Sequence, residues 1–242
     1  MKVVITSGGT CEALDSVRVL TNISTGKLGA KIAEQFLASG HDVSYVSTEV
    51  AVKPAMQSYP SKIGDVDVQV DATENYHYFP VTNVKSVIKV MRKLVKEADV
   101  VIQCMAVPDF TFSLAKPMKL SSHGQDAVEA FIKHIRDTIT LTPKVISYYR
   151  GWNKNAILVG FKFTVGESKA GLQKIATALM EKNRLDMVFA NDKSHMQKAG
   201  AHVGVLLGKD GSVLSVKNKD EAAKTIVEEV LSLARVKFVD AW

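Results

Sequence analysis

Short apolar runs alternate along the chain with longer stretches in which apolar residues recur at helical spacing. Lys2 to Ser7 is rich in β-branched residues and almost wholly apolar, the pattern of a parallel strand covered on both faces, and it stops at Gly8-Gly9. From Lys27 to Ser39, Leu28, Ile32, Ala33, Phe36 and Leu37 trace one face of a helix, with Gly40 at the C-terminal cap position. Asp42 to Ser47 reads as a second strand. A strand, a helix and a strand in this order imply parallel pairing through a right-handed crossover.

The alternation continues. Val66 and Val68 alternate with polar residues in an expected third strand. Val84, Val87, Ile88, Met91, Leu94 and Val95 predict a helix ending near Asp99, followed by a buried strand over Val100 to Met105. Ala156 to Phe161 and Met187 to Ala190 are strand candidates on either side of a helix over Lys169 to Asn183. Val203 to Leu207 and Val213 to Val216 flank Lys209-Asp210-Gly211, a hairpin turn signal, and a last helix runs from about Lys219 to Ala234. These elements predict an α/β fold: a doubly wound, mostly parallel, Rossmann-like sheet with helices on both faces and a C-terminal hairpin. One domain over 1–242 is expected, with the least regular stretch, 110–143, as a flap over the site. In such a sheet ligands collect at the carboxyl ends of the strands.

Composition narrows the classes. The 242 residues carry a formal charge of +6, with Lys and Arg scattered among acids, so no basic run points to nucleic acid; a phosphorylated substrate fits this charge. Two cysteines, Cys11 and Cys104, are too few for a zinc knuckle or a disulfide framework, and a reducing compartment is expected. The six histidines, among them His41, His77 and His195, show no paired metal-ligand spacing. Met1 leads directly into the first strand, and no apolar run approaches the ~20 residues that cross a bilayer. A cytoplasmic protein with no membrane partner is the expectation.

Two segments carry candidate chemistry. Thr6-Ser7-Gly8-Gly9-Thr10 follows the first strand, where glycines let the backbone bend and turn N–H groups toward an anion; a tight turn is the plainer reading. Asn22 to Gly29 opens the first helix, joining free N-terminal amides, the helix dipole, the Ser24 and Thr25 hydroxyls and the small Gly26. This could cradle a triphosphate or merely cap a helix. Neither GxxxxGK[ST] nor GxGxxG is present.

The run from Val4 to Gly29, with Ile-Thr-Ser-Gly-Gly-Thr, Asp15-Ser16-Val17-Arg18 and Thr21-Asn22-Ile23-Ser24-Thr25-Gly26-Lys27-Leu28-Gly29, closely resembles the amino-terminal signature of phosphopantothenate–cysteine ligases. Met105-Ala106-Val107-Pro108-Asp109-Phe110, Thr142-Pro143-Lys144-Val145-Ile146, Gly160-Phe161-Lys162-Phe163 and Ala190-Asn191-Asp192 resemble the same family in the same order. The resemblance is to the short bacterial form without the fused flavin-dependent decarboxylase domain. It implies that the carboxylate of 4′-phosphopantothenate attacks the α-phosphate of CTP (or ATP), releasing pyrophosphate, and that the amine of L-cysteine then displaces the nucleoside monophosphate. Mg2+ and a homodimer are implied with it.

Carried over by motif, Asn22 polarises the acyl-nucleotide and Arg18 assists the cysteine step. Gly8, Gly9, Thr10, Ser24 and Gly26 take the triphosphate, Ala106 and Asp109 meet the nucleotide, Asp109 through ribose, and Phe161 borders the base. Ala190, Asn191 and Asp192 line the cleft. Plainer roles stand beside these: Asn22 as a helix cap, Arg18 in a surface ion pair, Asp109 capping a turn, Phe161 as core. The family's essential lysine lies in a Lys-Ile-like segment, which Lys119-Leu120-Ser121-Ser122 resembles from farther upstream of Thr142-Pro143 than the family pattern; Lys133 or Arg136 could hold that role instead. Two other classes share the sheet. One is an NAD(P)-dependent oxidoreductase, with Glu49 placed to bind ribose but no GxGxxG; the other is a catalytically silent nucleotide-binding module.

Overall fold

The computed structural model describes residues 1–55, 58–63, 66–71, 74–113, 124 and 126–238. In chain order its elements are β1 (Lys2–Ser7), β2 (Cys11–Ala13), β3 (Val19–Thr21), α1 (Lys27–Ala38), β4 (Asp42–Ser47), β5 (Ser58–Ile63), β6 (Val66–Asp71), β7 (Tyr76–Pro80), α2 (Val84–Leu94), β8 (Val100–Gln103), β9 (Phe110–Phe112), α3 (Ala127–Thr138), β10 (Ile139–Leu141), α4 (Ile146–Trp152), β11 (Ile157–Thr164), α5 (Lys169–Asn183), β12 (Met187–Asp192), α6 (Lys193–Ala199), β13 (Gly204–Gly208), β14 (Val213–Val216) and α7 (Lys219–Lys237).

Eight strands form the main sheet in the order β14-β13-β12-β11-β8-β1-β4-β7. The six from β7 to β12 are parallel, while β12, β13 and β14 pair antiparallel as the predicted terminal hairpin. Successive residues of β1 serve opposite faces. Val3 and Ile5 join a core with α1 and α7, and Val4 joins one with α2, α4 and α5, so the sheet is doubly wound. Strand order reverses between β1 and β8, the topological switch point beside which sheets of this kind bind their ligands at the carboxyl ends of the strands.

Two expectations need correction. The strand at Val66 to Asp71 is real, but it pairs antiparallel with β5 in a separate two-stranded ribbon. The place beside β4 is taken by β7, in register from Val43↔Tyr76 to Ser47↔Pro80. The sequence Val-Asp-Val-Gln-Val-Asp alternates with period two, the pattern of a ribbon with one covered face, whereas β7 is Tyr-His-Tyr-Phe-Pro at the edge of the sheet. The stretch 110–143 also holds more regular structure than expected: a short β9–β10 hairpin and the 12-residue α3. None of α3's residues is buried, and Val128 and Ile132 are exposed on it.

Candidate active site at the switch point

The chain leaving β1 and the chain leaving β8 stay together past their strand ends. Ala106 N–H donates to Gly8 O at 2.8 Å and Thr10 N–H donates to Ala106 O at 3.1 Å. The Gly8–Gly9 turn is thereby pinned to Ala106 at the carboxyl end of the switch point. Gly8 has φ of 80°, a left-handed conformation that favours glycine, and a Cβ there would stand 2.5 Å from Ala51 Cβ. At Gly9 a Cβ would meet Asn22 O at 2.6 Å. These glycines therefore let the loops after β1 and β4 and before α1 approach one another, which accounts for the turn with or without a ligand.

Helix α1 starts at Gly26, left-handed at φ 75°, and no side chain caps it. Lys27 N–H makes one long contact, to Thr25 Oγ1 at 3.5 Å, and the amides of this first turn lie at the positive end of the dipole, where an anion is favoured. Ser24 is half-buried and Thr25 exposed beside them. Two hydroxyls in this region, Thr10 Oγ1 and Thr48 Oγ1, are buried without a hydrogen-bond partner among the described residues. Such groups are uncommon, and each carries a desolvation cost that a polar ligand could relieve. Thr48 follows β4 at the same sheet end and escaped sequence reading, because a lone Thr after a strand carries no motif.

Asn22 does not cap the helix. It is exposed, and its Nδ2 donates across to Val107 O at 3.1 Å, on the loop after β8. Arg18 lies in the turn of the β2–β3 hairpin, where its Nη1 meets Asp15 Oδ2 at 2.9 Å. The Asp15 side chain is fully buried and also accepts the Val17 and Arg18 amides, so this is a braced guanidinium rather than a loose surface pair. Asp109 is exposed and ion-paired to Lys144, the lysine of Thr142-Pro143-Lys144. Thr142 N–H donates to Asp109 O at 3.0 Å and Thr142 Oγ1 to Pro108 O at 2.5 Å, which joins two sequence-distant motifs.

Phe161 is half-buried against the α1/α7 core, its ring 5.5 Å from that of Phe189. Ala190, Asn191 and Asp192 are buried at the end of β12. Asp192 caps α6 through Ser194 and His195 N–H and takes further bonds from Thr164 Oγ1, Gly166 N–H and Glu167 N–H. Desolvation raises its pKa, but the bonds from Thr164, Glu167, Ser194 and His195 outweigh this and hold the carboxyl well below the usual range. Both oxygens are thus committed to the loop ends that frame the cleft. Asn191 Nδ2 lies 3.5 Å from His202 Nε2, and the His202 ring stacks on Phe189. Burial pushes the Cys104 thiol up to about 12, against the Gly29 amide and the charge of Lys219, so it stays protonated.

Lys119 lies outside the described residues. Lys133 is exposed on α3 and paired with Asp137 at 3.0 Å, and Arg136 is exposed on the same helix. Among the described residues no group of three or more His, Cys, Asp or Glu could hold a metal ion, and no helix is long and apolar enough to cross a membrane. A cavity of about 590 Å³ lies at the amino end of β12, lined by Arg184, Leu185, Leu207 and Lys209, at the opposite end of the sheet from the glycine turn.

Known proteins resemble the chain over nearly its full length. The family described as DNA/pantothenate metabolism flavoprotein C-terminal domain matches residues 1–233. The coenzyme A biosynthesis bifunctional protein CoaBC of Methanocaldococcus jannaschii is 28% identical over 235 residues, covering 97% of this chain and 51% of that protein. The Thermococcus kodakarensis protein of the same name is 29% identical over 95% of this chain and 50% of its own length. The chain thus spans about half the length of these curated relatives. The crystal structure of the DNA/pantothenate metabolism flavoprotein from Streptococcus pneumoniae superposes with a TM-score of 0.74 at 29% identity, covering 96% of this chain and 99% of that one. A Cab2 mutant in complex with phosphopantothenate-cysteine shares the fold, with a TM-score of 0.73 at 18% identity over 99% of this chain and 88% of that one.

Proposed function

The chain belongs to the DNA/pantothenate metabolism flavoprotein C-terminal domain family, and on that premise we propose that it is a phosphopantothenate–cysteine ligase. It joins 4′-phosphopantothenate to L-cysteine at the expense of a nucleoside triphosphate, CTP in our reading. A carboxylate repels nucleophiles and has no leaving group, so it is first converted to a mixed anhydride with the nucleotide, releasing pyrophosphate. The cysteine amine then attacks the acyl carbon, a C–N bond forms, and nucleoside monophosphate departs. Both steps build negative charge on oxygen, which preorganised donors stabilise.

One observation carries this reading: the Gly8–Thr10 turn, the uncapped start of α1 and the Ala106–Asp109 loop meet at the switch point. In this assignment the α1 amides with Ser24 and Gly26 take the phosphates, Asp109 exchanges Lys144 for ribose, and Phe161 borders the base. Asn22, held toward the β8 loop, polarises the acyl-nucleotide, and Arg18, braced by Asp15, serves the cysteine step. By family resemblance Lys119 supports the charged intermediate. Magnesium enters as the nucleotide complex, which suits a site with few carboxylates, since Mg2+ keeps its waters and the phosphates as ligands. A homodimer in the cytoplasm, without nucleic-acid or membrane partners, completes the proposal.

The test mixes purified protein with Mg2+, phosphopantothenate, cysteine and either CTP or ATP. Pyrophosphate and nucleoside monophosphate should appear only when phosphopantothenate is present, faster with CTP. No pyrophosphate with either nucleotide would sink the proposal.

A further inference from the structure

We infer that Glu12 is a positioning residue that holds the β2–β3 hairpin, and with it Arg18 and Asn22, in register with the loop from Ala106 to Thr111; the inference rests on the ligase reading above. Glu12 is only 6% exposed. A buried carboxylate is costly unless its oxygens are bonded, and here each is taken by a different element. Oε1 accepts Val84 N–H, at the start of α2, at 2.8 Å, and Oε2 accepts Thr111 Oγ1 on β9 at 2.6 Å. Helix α2 is already capped, since Asn83 and Ser86 form a reciprocal capping box. Glu12 therefore uses a spare amide at the positive end of that helix as an anchor for the hairpin.

The hairpin needs such an anchor. Its strands pair over three residues each, and a two-stranded ribbon of that length is not stable alone. At its root the chain turns through Gly8–Gly9, and at its tip His134 on α3 contacts Leu14 O at 3.0 Å. Between them, Cys11 N–H donates to Thr82 O at 2.8 Å beside the Glu12 carboxylate. The Thr111 bond joins this ribbon to β9, two residues past Asp109, while Asn22 joins it to Val107. Loss of the Glu12 bridge frees the ribbon to pivot, which displaces Arg18 and Asn22 together.

Displacement has a chemical signature that mere loss of folded protein lacks. The acyl-nucleotide has two fates. Attack by the cysteine amine forms the C–N bond, releases nucleoside monophosphate and sheds one amine proton. Attack by water at the same carbon regenerates the carboxylate and releases the same monophosphate. The ratio of pyrophosphate released to amide formed separates the two and does not depend on how much enzyme is active.

The experiment measures this ratio for the wild type, Thr111→Val, Glu12→Leu and Glu12→Gln. The wild type should give about one pyrophosphate per amide. Thr111→Val and Glu12→Leu should raise the ratio several-fold and lower the rate of amide formation by about 10- to 100-fold, as a shift of about 1 Å at a reacting group does. Glu12→Gln should return the ratio most of the way, because its carbonyl still accepts Val84 N–H and its NH2 can donate to a rotated Thr111 hydroxyl. If Glu12→Leu is insoluble, Thr111→Val carries the test, since it leaves the α2 anchor intact. A wild type that couples one to one, with Thr111→Val coupling equally well and within twofold in rate, overturns the inference and leaves the ligase reading standing. A wild type with no phosphopantothenate-dependent pyrophosphate overturns the ligase reading itself.

Discussion

Asn22 is the residue on which the proposed mechanism is tested most directly. Its amide reaches from the start of the α1 loop to Val107 O on the loop after β8 while remaining exposed. In Asn22→Asp the donor becomes a carboxylate oxygen facing a carbonyl, so both the bond to Val107 O and the N–H proposed to polarise the acyl-nucleotide are lost. Removing one oxyanion donor typically costs ~10²–10³ in rate. Turnover of Asn22→Asp should fall by that order while nucleotide still protects the protein against heat; unchanged turnover would remove Asn22 from the mechanism. Gly8 and Gly26 are legible as turn residues, but their neighbour Ala51 is not, because nothing in a sequence says which distant Cβ will fill the space a glycine leaves.

At the level of elements, two histidines near element ends tie stability to pH. Burial lowers His41 to about 4, helped by the amino-terminal ammonium, and lowers His202 to about 4, helped by Lys219. In an unfolded chain each titrates near ~6.5. Between about 6.5 and 4 the unfolded chain therefore takes up protons that the folded one refuses, so stability falls as pH drops through that window. Urea midpoints should be lower at pH 5 than at pH 7, and His202→Asn should flatten the difference; an unaltered slope in that variant would show that His202 contributes nothing to it. Helix α3 illustrates the converse problem at this scale. Val128, Phe131, Ile132 and Ile135 have helical spacing, but the preceding Pro117 and Gly124 and the mixed charge mask it, and among the described residues none on this helix is buried in a core.

Across the whole molecule, a buried ion pair stands at the end of the sheet opposite the proposed site. At the amino end Arg150 is buried and pairs with Asp186 at 2.8 Å, with further bonds to the Arg184, Lys154 and Ala156 carbonyls. Both side chains are nearly enclosed, at 10% and 13% exposure. Removing one partner strands a buried charge at a cost of about 3–5 kcal/mol. Arg150→Leu should lose about that much in chemical denaturation while the folded fraction keeps the KM of the parent. A raised KM for the nucleotide would show that the two ends are coupled through the sheet.

The central strands, the covering helices α1, α2, α5 and α7 and the terminal hairpin were legible from the sequence because each carries its own period: near-continuous apolar runs in β1 and β8, recurrence at three and four residues in α1 and α2, and Asp-Gly between β13 and β14; the seven-residue α4, which also packs on the sheet, is too short to show one. The candidate nucleotide segments were legible because glycine and small polar residues directly after a strand limit what the backbone there can do. The pairing of β7 rather than β6 with β4, the docking of the Thr142-Pro143-Lys144 loop on Asp109 and the Glu12 bridge were decided only by the tertiary structure. Each depends on partners 33 to 99 residues apart meeting in space, and local propensity holds no information about which of many equivalent edges, carboxylates and hydroxyls will come within bonding distance.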